Sequence, residues 1–454
     1  MTENNISSNE VQLDRESAEF KDFGRFKIEN KTYGAQYRNI YTARLKKLQS
    51  ILKERVKLKW GNHKILQLTN LSDITETDDA VILIGTLYKH QEFKPSILKE
   101  MSEELQLVPQ PTRSNYSSIK DQLFLEDETL RVRLVGDHMD VGEIVTGLVC
   151  AVLGRELENG CFWVQDFCFP GMCPRVSTSR SLSSHPGRVL LISGLDMANT
   201  PDSLELELLT EWITGMAGNP QAQRSSATVC LVIIAGNSVR GSVETYPHRG
   251  YSGARNQRTT AAVETILATH RFDKFLRQIV ENCRVLLMPG EFDPSNHSIP
   301  QQSLHHCILP ESSRLKTLHC GTNPWIGKLG DRIVAGSSGQ PVDDIKRVTG
   351  LMNFSPLDCL EKTLTWRHFS PTAPDTLPAY PYFDTDPFIM EESPDIYFVG
   401  NMKEYSTKLL IGEEGQSVRL ISIPKFSKTS TGVIVDLDTL ETEQIFFAQP
   451  ELNA

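Results

Sequence analysis

Three short apolar runs, at residues 189–192, 229–234 and 284–287, stop abruptly at small or polar residues, with helical periodicity between them around 204–216 and 260–277. A strand that is apolar at successive positions has to be buried on both faces, and the helices in this alternation supply the cover. This half of the chain is therefore expected to be an α/β layered domain. In such domains the loops just past the strand ends form the site. Here those loops read Ser193-Gly194-Leu195, Gly236-Asn237 and Pro289-Gly290-Glu291-Phe292-Asp293, and a fourth run at 396–399 ends in Gly400-Asn401. Further strands are expected at 332–335, 417–423 and 432–437, and a helix at 356–365.

The first half follows a different pattern. Tyr37, Ile40, Tyr41, Leu45, Leu48, Leu52 and Val56 recur at three- and four-residue spacing, which is one face of a helix ending before Trp60-Gly61. Its other face carries Arg38, Arg44, Lys46, Lys47, Lys53, Arg55 and Lys57. It reads as a solvated face, with contact to DNA or to an acidic partner as the alternative. Strand-like pieces follow at 80–88, 130–135, 143–154 and 161–169, with a helical insertion at 96–105. Short strands with one insertion point to a small OB-like barrel. Such barrels often bind single strands through aromatics and a positive groove. Residues 62–172, however, hold nine Lys or Arg against eighteen Asp or Glu, so Phe162, Trp163, Phe167 and Phe169 are read as core or protein interface. The stretch 174–188 has the Ser, Pro and Gly content of a linker.

With 454 residues the chain is long enough for two or three cores. Its formal charge of -10 argues against a surface that binds nucleic acid as a whole. No run of ~18 apolar residues is present, so nothing calls for a membrane. The first twenty residues are polar and lack the basic start and apolar core of a signal peptide, which leads us to expect a disordered tail on an intracellular protein. Nine cysteines, an odd number spread along the chain, read as free thiols in a reducing compartment.

The strand-end loops sit where a two-metal phosphoesterase keeps its ligands. Two cations roughly 3.5 to 4 Å apart need many oxygen and nitrogen donors, normally arranged as D-x-H, G-D, G-N-H-D or G-N-H-E, and G-H-x-H. In their places stand Ser193 and Leu195, Gly236-Asn237, Gly290-Glu291-Phe292-Asp293, and Gly400-Asn401-Met402-Lys403. Phe292 is the most damaging change, because a ring without a donor replaces the catalytic imidazole. Asp196, Glu291, Asp293 and His368 survive as polar candidates, and Glu291 and Asp293 are expected to hydrogen-bond the backbone of their own loop. No catalytic, cofactor or metal site is assigned. Gly136-Asp137-His138-Met139-Asp140 is read as a turn. Cys161, Cys168 and Cys173, and the group His305, His306, Cys307, His319 and Cys320, lack zinc-finger spacing. The loop 240–258, with Arg240, Arg249, Arg255 and Arg258, is read as a surface loop or a partner-binding one, and Phe446-Phe447 as strand or packing.

The motifs themselves carry a resemblance. The segments VLLISGL at 189–195, IAGN at 234–237, LLMPGEFDPSNHSIPQQSLH at 286–305, SPTAPDTLPAYPYFDTDPFI at 370–389 and IYFVGN at 396–401 resemble the small, B-type accessory subunit of DNA polymerase delta. IYTARLKKL, KPSILKEMSEE and FLEDETLRVRL resemble its N-terminal part. The resemblance implies an OB-fold barrel packed on a calcineurin-like phosphodiesterase α/β sandwich that has lost catalysis. On that plan 1–20 is a tail, 21–61 a helical segment, 62–173 the OB domain, 174–187 a linker and 188–454 the inactive phosphodiesterase-like domain. The resemblance also implies a nuclear scaffold without cofactor. Its partners would be the cysteine-rich C-terminal domain of the polymerase catalytic subunit and a further regulatory subunit. A translesion polymerase catalytic subunit is a further candidate, with DNA reached only through the complex. A metal-dependent phosphodiesterase or nuclease, or a single-stranded DNA-binding OB module, is the alternative.

Overall fold

The computed structural model describes residues 14–448 apart from 30, 33, 62, 67–79, 95–112, 138, 176–186, 201–202, 243–253 and 351–353, and for 254–262 it gives the backbone alone. The expected helix at 96–105, His138, residues 1–13 of the expected tail and most of the expected linker and Arg-rich loop lie outside the described residues.

The chain opens with a short strand, β1 (Phe20–Asp22), a long helix, α1 (Arg38–Trp60), and strand β2 (Lys64–Leu66). Next come β3 (Val81–His90), β4 (Gln122–Glu126), β5 (Arg131–Val135), β6 (Val149–Glu156) and β7 (Cys161–Cys168). The pairings run β3-β4-β5-β7-β6 and return to β3, closing a five-stranded OB barrel. Alternate residues fill it, among them Leu83, Leu87, Leu123, Leu125, Val132, Leu134, Val152 and Phe162. Strand β6 begins at Val149, later than the periodicity suggests, because Val141–Glu143 forms a 3-10 turn capped by Asp140, whose carboxylate accepts from Gly142 N. That turn is the use found for the Asp140 end of the 136–140 motif.

The second half is a four-layer sandwich. One sheet runs β11 (Leu318–Cys320), β10 (Arg284–Met288), β9 (Val229–Ala235), β8 (Arg188–Ile192), β17 (Thr431–Asp436), β18 (Thr442–Phe446). The other runs β1, β12 (Trp325–Leu329), β13 (Arg332–Ser337), β14 (Ile396–Met402), β16 (Ser417–Pro424), β15 (Ser406–Ile411). The apolar runs are explained by what lies on either side. From β8, Val189 and Leu191 face the other sheet, whereas Leu190 and Ile192 face the helices α2 (Leu204–Thr214) and α4 (Ala254–Val280). Helix α3 (Pro220–Ala227) leads into β9. Helices α5 (Gln340–Val348) and α6 (Pro356–Thr365) cover the outer face of the second sheet, and their apolar residues share one cluster with the barrel interior. The two domains therefore have no solvent layer between their cores.

Residues 14–20, placed in the expected tail, are docked. Glu16 N donates to Ala227 O, Arg15 donates to the carbonyls of Ser226, Val229 and Ile213, and β1 pairs antiparallel with β12. Arg15 thereby serves carbonyls left open at the ends of α2 and α3.

Arg44 also departs from the helical-wheel reading. It lies on the buried row Ile40, Arg44, Leu48, Leu52, Val56, not on the basic face, and is 1% exposed. Its Nε donates to Asp386 at 2.6 Å, and its terminal nitrogens donate to the carbonyls of Gly147, Pro371 and Ala373 at 3.0, 3.1 and 2.8 Å. One guanidinium thus joins the helix, the barrel and the sandwich. Of the outward basic residues, Lys46, Lys47 and Arg55 pair with Glu128, Glu391 and Glu413, and Lys59 pairs with Asp166. Each exposed pair adds little energy, but together they neutralise much of a face that DNA would need positive. Lys53 and Lys57 remain exposed.

Beside Arg44, His368 Nε2 lies 2.9 Å from Asp386. Burial, helped by Arg44, pushes the His368 imidazole down from 6.5 to about 4. Burial alone would raise the Asp386 carboxyl, but Arg44 and His368 hold it well below the usual carboxylate range.

Breaking a buried pair by removing one partner costs about 3–5 kcal/mol. Arg44→Ala is expected to lower unfolding free energy by that order in urea titrations, and Arg44→Lys should not restore it, since an ammonium cannot reach four acceptors in fork geometry. Unfolded His368 takes up its proton near 6.5 and folded His368 only near about 4. The unfolded state then binds more protons in that window, so stability falls as pH drops through it. The difference between wild type and His368→Gln in urea midpoint against pH should isolate this limb.

Candidate functional site

The strand-end loops flagged by the sequence do converge. Asn401 N donates to Ser193 Oγ at 2.8 Å, and Ser193 Oγ donates in turn to Pro424 O at 3.0 Å. Phe292 N donates to Asn237 Oδ1 at 3.2 Å, and Asn401 Nδ2 donates to Ala235 O and Ser338 O at 3.0 and 2.8 Å. Loops from β8, β9, β10 and β14 thus meet in one crevice at the ends of the two sheets.

The backbone there is tightly constrained. Asp196, Asn237 and Asn401 have φ of 53°, 54° and 63°, three of the six described non-glycine residues in the left-handed region. Asn and Asp tolerate that region best, and such residues gather at functional sites. Gly290 passes so close to Asn237 that a Cβ would lie 2.2 Å from its backbone nitrogen. Gly400 has the same role against Ala235 O, which a Cβ would approach to 2.7 Å.

The polar atoms of the crevice are mostly occupied by the loops themselves. Asp293 accepts from Val239 N at 2.8 Å and Gly290 N at 2.9 Å. Burial pushes its carboxyl up, while the amides of Val239, Gly290, Ser238 and Asn237 pull it back. Asp196 accepts from Gly241 N and from Asn199 Nδ2. Leu195 is fully buried in the apolar cluster under α2, and Glu291 points to solvent. His368 is not brought here; it sits on Asp386 at the domain seam. Among the described residues, the one group of three His, Cys, Asp or Glu side chains whose ligand atoms lie together is His305, His306 and Cys307, outside this crevice.

Of the aromatic residues flagged on the barrel, Trp163 is half-buried on β7. Phe162 is buried inside the barrel, and Phe167 stacks on Phe169 at 6.2 Å against the shared core. Phe446 is exposed on β18, whereas Phe447 packs on Trp212 and Phe426.

Residues 36–167 match the family model for the DNA polymerase delta subunit OB-fold domain, and residues 189–408 that for the DNA polymerase alpha/epsilon B-subunit. The chain is 39% identical over 425 residues to DNA polymerase delta subunit 2 of Drosophila melanogaster, an alignment covering 93% of this chain and 96% of that one. The chain belongs to the DNA polymerase delta small-subunit family. Other members are the DNA polymerase delta small subunits of Arabidopsis thaliana, 37% identical over 430 residues with 93% and 94% of the two chains covered, and of Saccharomyces cerevisiae, 31% identical over 454 residues with 91% and 89% covered. The first matched segment covers α1 and the barrel, and the second runs through the sandwich from β8 into β15, short of β16, β17 and β18.

Motif spacing gives no sign of the residues that hold the two halves of the chain together. Lys89 and Gln91 on the barrel side donate to Val348 O, each at 3.0 Å. Asn115 Nδ2 donates to Lys346 O and Thr349 O, and Tyr116 N to Arg347 O. The barrel therefore caps the C-terminal carbonyls of α5. Burial pulls the Lys89 ammonium down to about 8, against the attraction of Asp121. For Arg44 a signal was available: its i±4 neighbours Ile40 and Leu48 put a charge in an apolar row.

Asp293→Ala leaves two buried amides without an acceptor, which costs about 1–3 kcal/mol. Thermal and urea unfolding of the variant should show that loss, and Asp293→Asn, which keeps one acceptor oxygen, a smaller one.

Proposed function

We propose that the chain is a non-catalytic accessory subunit of DNA polymerase delta, a scaffold acting in the nucleus in DNA replication and repair. It binds the cysteine-rich C-terminal domain of the catalytic subunit and bridges to a further regulatory subunit, and it can serve a translesion polymerase of like architecture. DNA is reached through the complex. The observation that carries the non-catalytic part is the use of Ser193, Asn237, Asp293 and Asn401 as partners for backbone groups at the strand ends. A two-metal hydrolase needs such atoms free and convergent on cations. We assign Ser193, Leu195, Asn237, Asp293, Gly400 and Asn401 a structural role, and Glu291 and Phe292 complete the set of vestigial motif positions.

The polymerase part rests on the names of the relatives and on the joined core of barrel and sandwich. A rigid two-domain body presents surface to partners without first having to order itself, which lowers the cost of binding. The affinity of such a scaffold comes from a few buried anchors inside a polar rim.

Two measurements on the full chain test this. Incubation with Mn2+ or Zn2+ and a generic phosphodiester should give no hydrolysis above that of Asp293→Ala. Affinity purification from growing cells should bring down a large polymerase with a cysteine-rich C-terminal tail in stoichiometric amount. Metal-dependent turnover abolished by Asp293→Ala, or recovery of the chain alone, would overturn the proposal.

A further inference from the structure

The group His305, His306 and Cys307 lies outside the crevice and plays no part in the scaffold reading. Its three ligand atoms lie within 4.8 Å of one another, and all three residues are exposed. Three residues on a 3-10 turn would normally point about 120° apart, since that helix has three residues per turn. They converge here because His305 is the residue before the turn (His306–Ile308), with extended backbone at φ -72° and ψ 140°, and it folds back. Its ring centroid is 4.1 Å from that of His306, and its Nδ1 accepts from Cys307 N at 3.3 Å.

The backbone carrying these side chains is fixed before any ion arrives. Leu304 and Leu309 on either side are buried in the cluster under α4, 3% and 0% exposed. Ile308 N donates to His305 O at 2.9 Å and Leu309 N to His306 O at 3.1 Å. The following residues are anchored by Asp273 of α4, which accepts from Glu311 N at 2.9 Å and from Ser312 N at 3.0 Å. Only side-chain rotamers remain to be ordered on binding, because the backbone that carries the three ligands is already held.

We propose that His305, His306 and Cys307 form a surface site for a zinc-class divalent cation. Two imidazoles and one thiolate suit a borderline-soft ion, and three protein ligands leave the fourth tetrahedral position open to water or to a ligand from outside the chain. Binding replaces the Cys307 S–H bond with an S–metal bond and releases the proton to solvent, so affinity rises with pH. If the metal takes the lone pair on His305 Nδ1, the long 3.3 Å contact from Cys307 N is given up.

The test is a Co2+ titration of the full chain under reducing conditions, followed by competition with Zn2+. The expected result is one ion per chain, a tetrahedral cobalt spectrum with a thiolate-to-cobalt charge-transfer band, loss of that band in Cys307→Ser, and affinity at least about tenfold weaker in His305→Asn and His306→Asn. Zn2+ added in a weakly buffered solution should release a proton in the wild type and not in Cys307→Ser. Because the residues are exposed, circular dichroism of the variants should match wild type. Absence of the charge-transfer band, or its persistence in Cys307→Ser, which would mean another thiol binds the ion, overturns the proposal. Neither result bears on whether the chain is a polymerase subunit.

Discussion

Arg44 brings a guanidinium to a place that water does not reach. Whatever surrounds it has to replace the hydration it gives up. That replacement comes from Asp386 and from three carbonyls belonging to two domains. A charge satisfied this way tolerates few alternatives, because sliding the barrel over the sandwich by one residue would strip several bonds together. The apolar contacts in the joined core provide most of the burial, but they are tolerant of small shifts. Arg44 supplies the specificity of the fit. Next to Gly147, where Thr146 bonds Lys89, the side chains of Lys89, Gln91 and Asn115 meet the end of α5 in the same way.

In the crevice the strand-end loops are held by backbone geometry and by side chains turned onto backbone groups. The left-handed backbones of Asp196, Asn237 and Asn401 and the close approach of Gly290 to Asn237 hold the loops in position. Side chains that point inward then serve neighbouring amides. A strained turn next to a buried carboxylate is often taken as a catalytic sign. Here Asp293 accepts from the amides of Val239 and Gly290, which gives its burial an internal reason, and that burial in turn raises its carboxyl.

Much of the architecture was legible because burial on two faces leaves a strong mark. The runs that became β8, β9 and β10 are apolar at every position that faces either sheet or helix, and the helix at 356–365 is bounded by Ser355 and Asp358, which form a capping box. Elements whose stability comes from pairing left little mark. Strand β4 is half polar, β1 is three residues long, and β15 and β18 are edges with exposed faces, so none has a distinctive period. The strand-end loops could be located in the sequence, because each follows an apolar run that stops abruptly. The seam could not, because carbonyl acceptors such as Gly147 O and Val348 O belong to every residue type. A side chain's claim on them appears only in three dimensions.

The contact between Arg44 and Asp386 joins residues 342 positions apart. At ribosomal rates of about 5–20 residues per second, the three acceptors that the sandwich supplies emerge on the order of 20–70 s after the helix that carries the guanidinium. In that interval the barrel can close, since its strands lie within the first half of the chain, and it covers Leu48, Leu52 and Val56 of α1, whose apolar cluster is drawn mainly from β3, β6 and β7. The nascent chain thus passes through a stage in which the Arg44 guanidinium has Gly147 O in place and its other three partners still to come. Completion of the carboxy-terminal half, more than barrel closure, marks the point at which that charge is fully partnered.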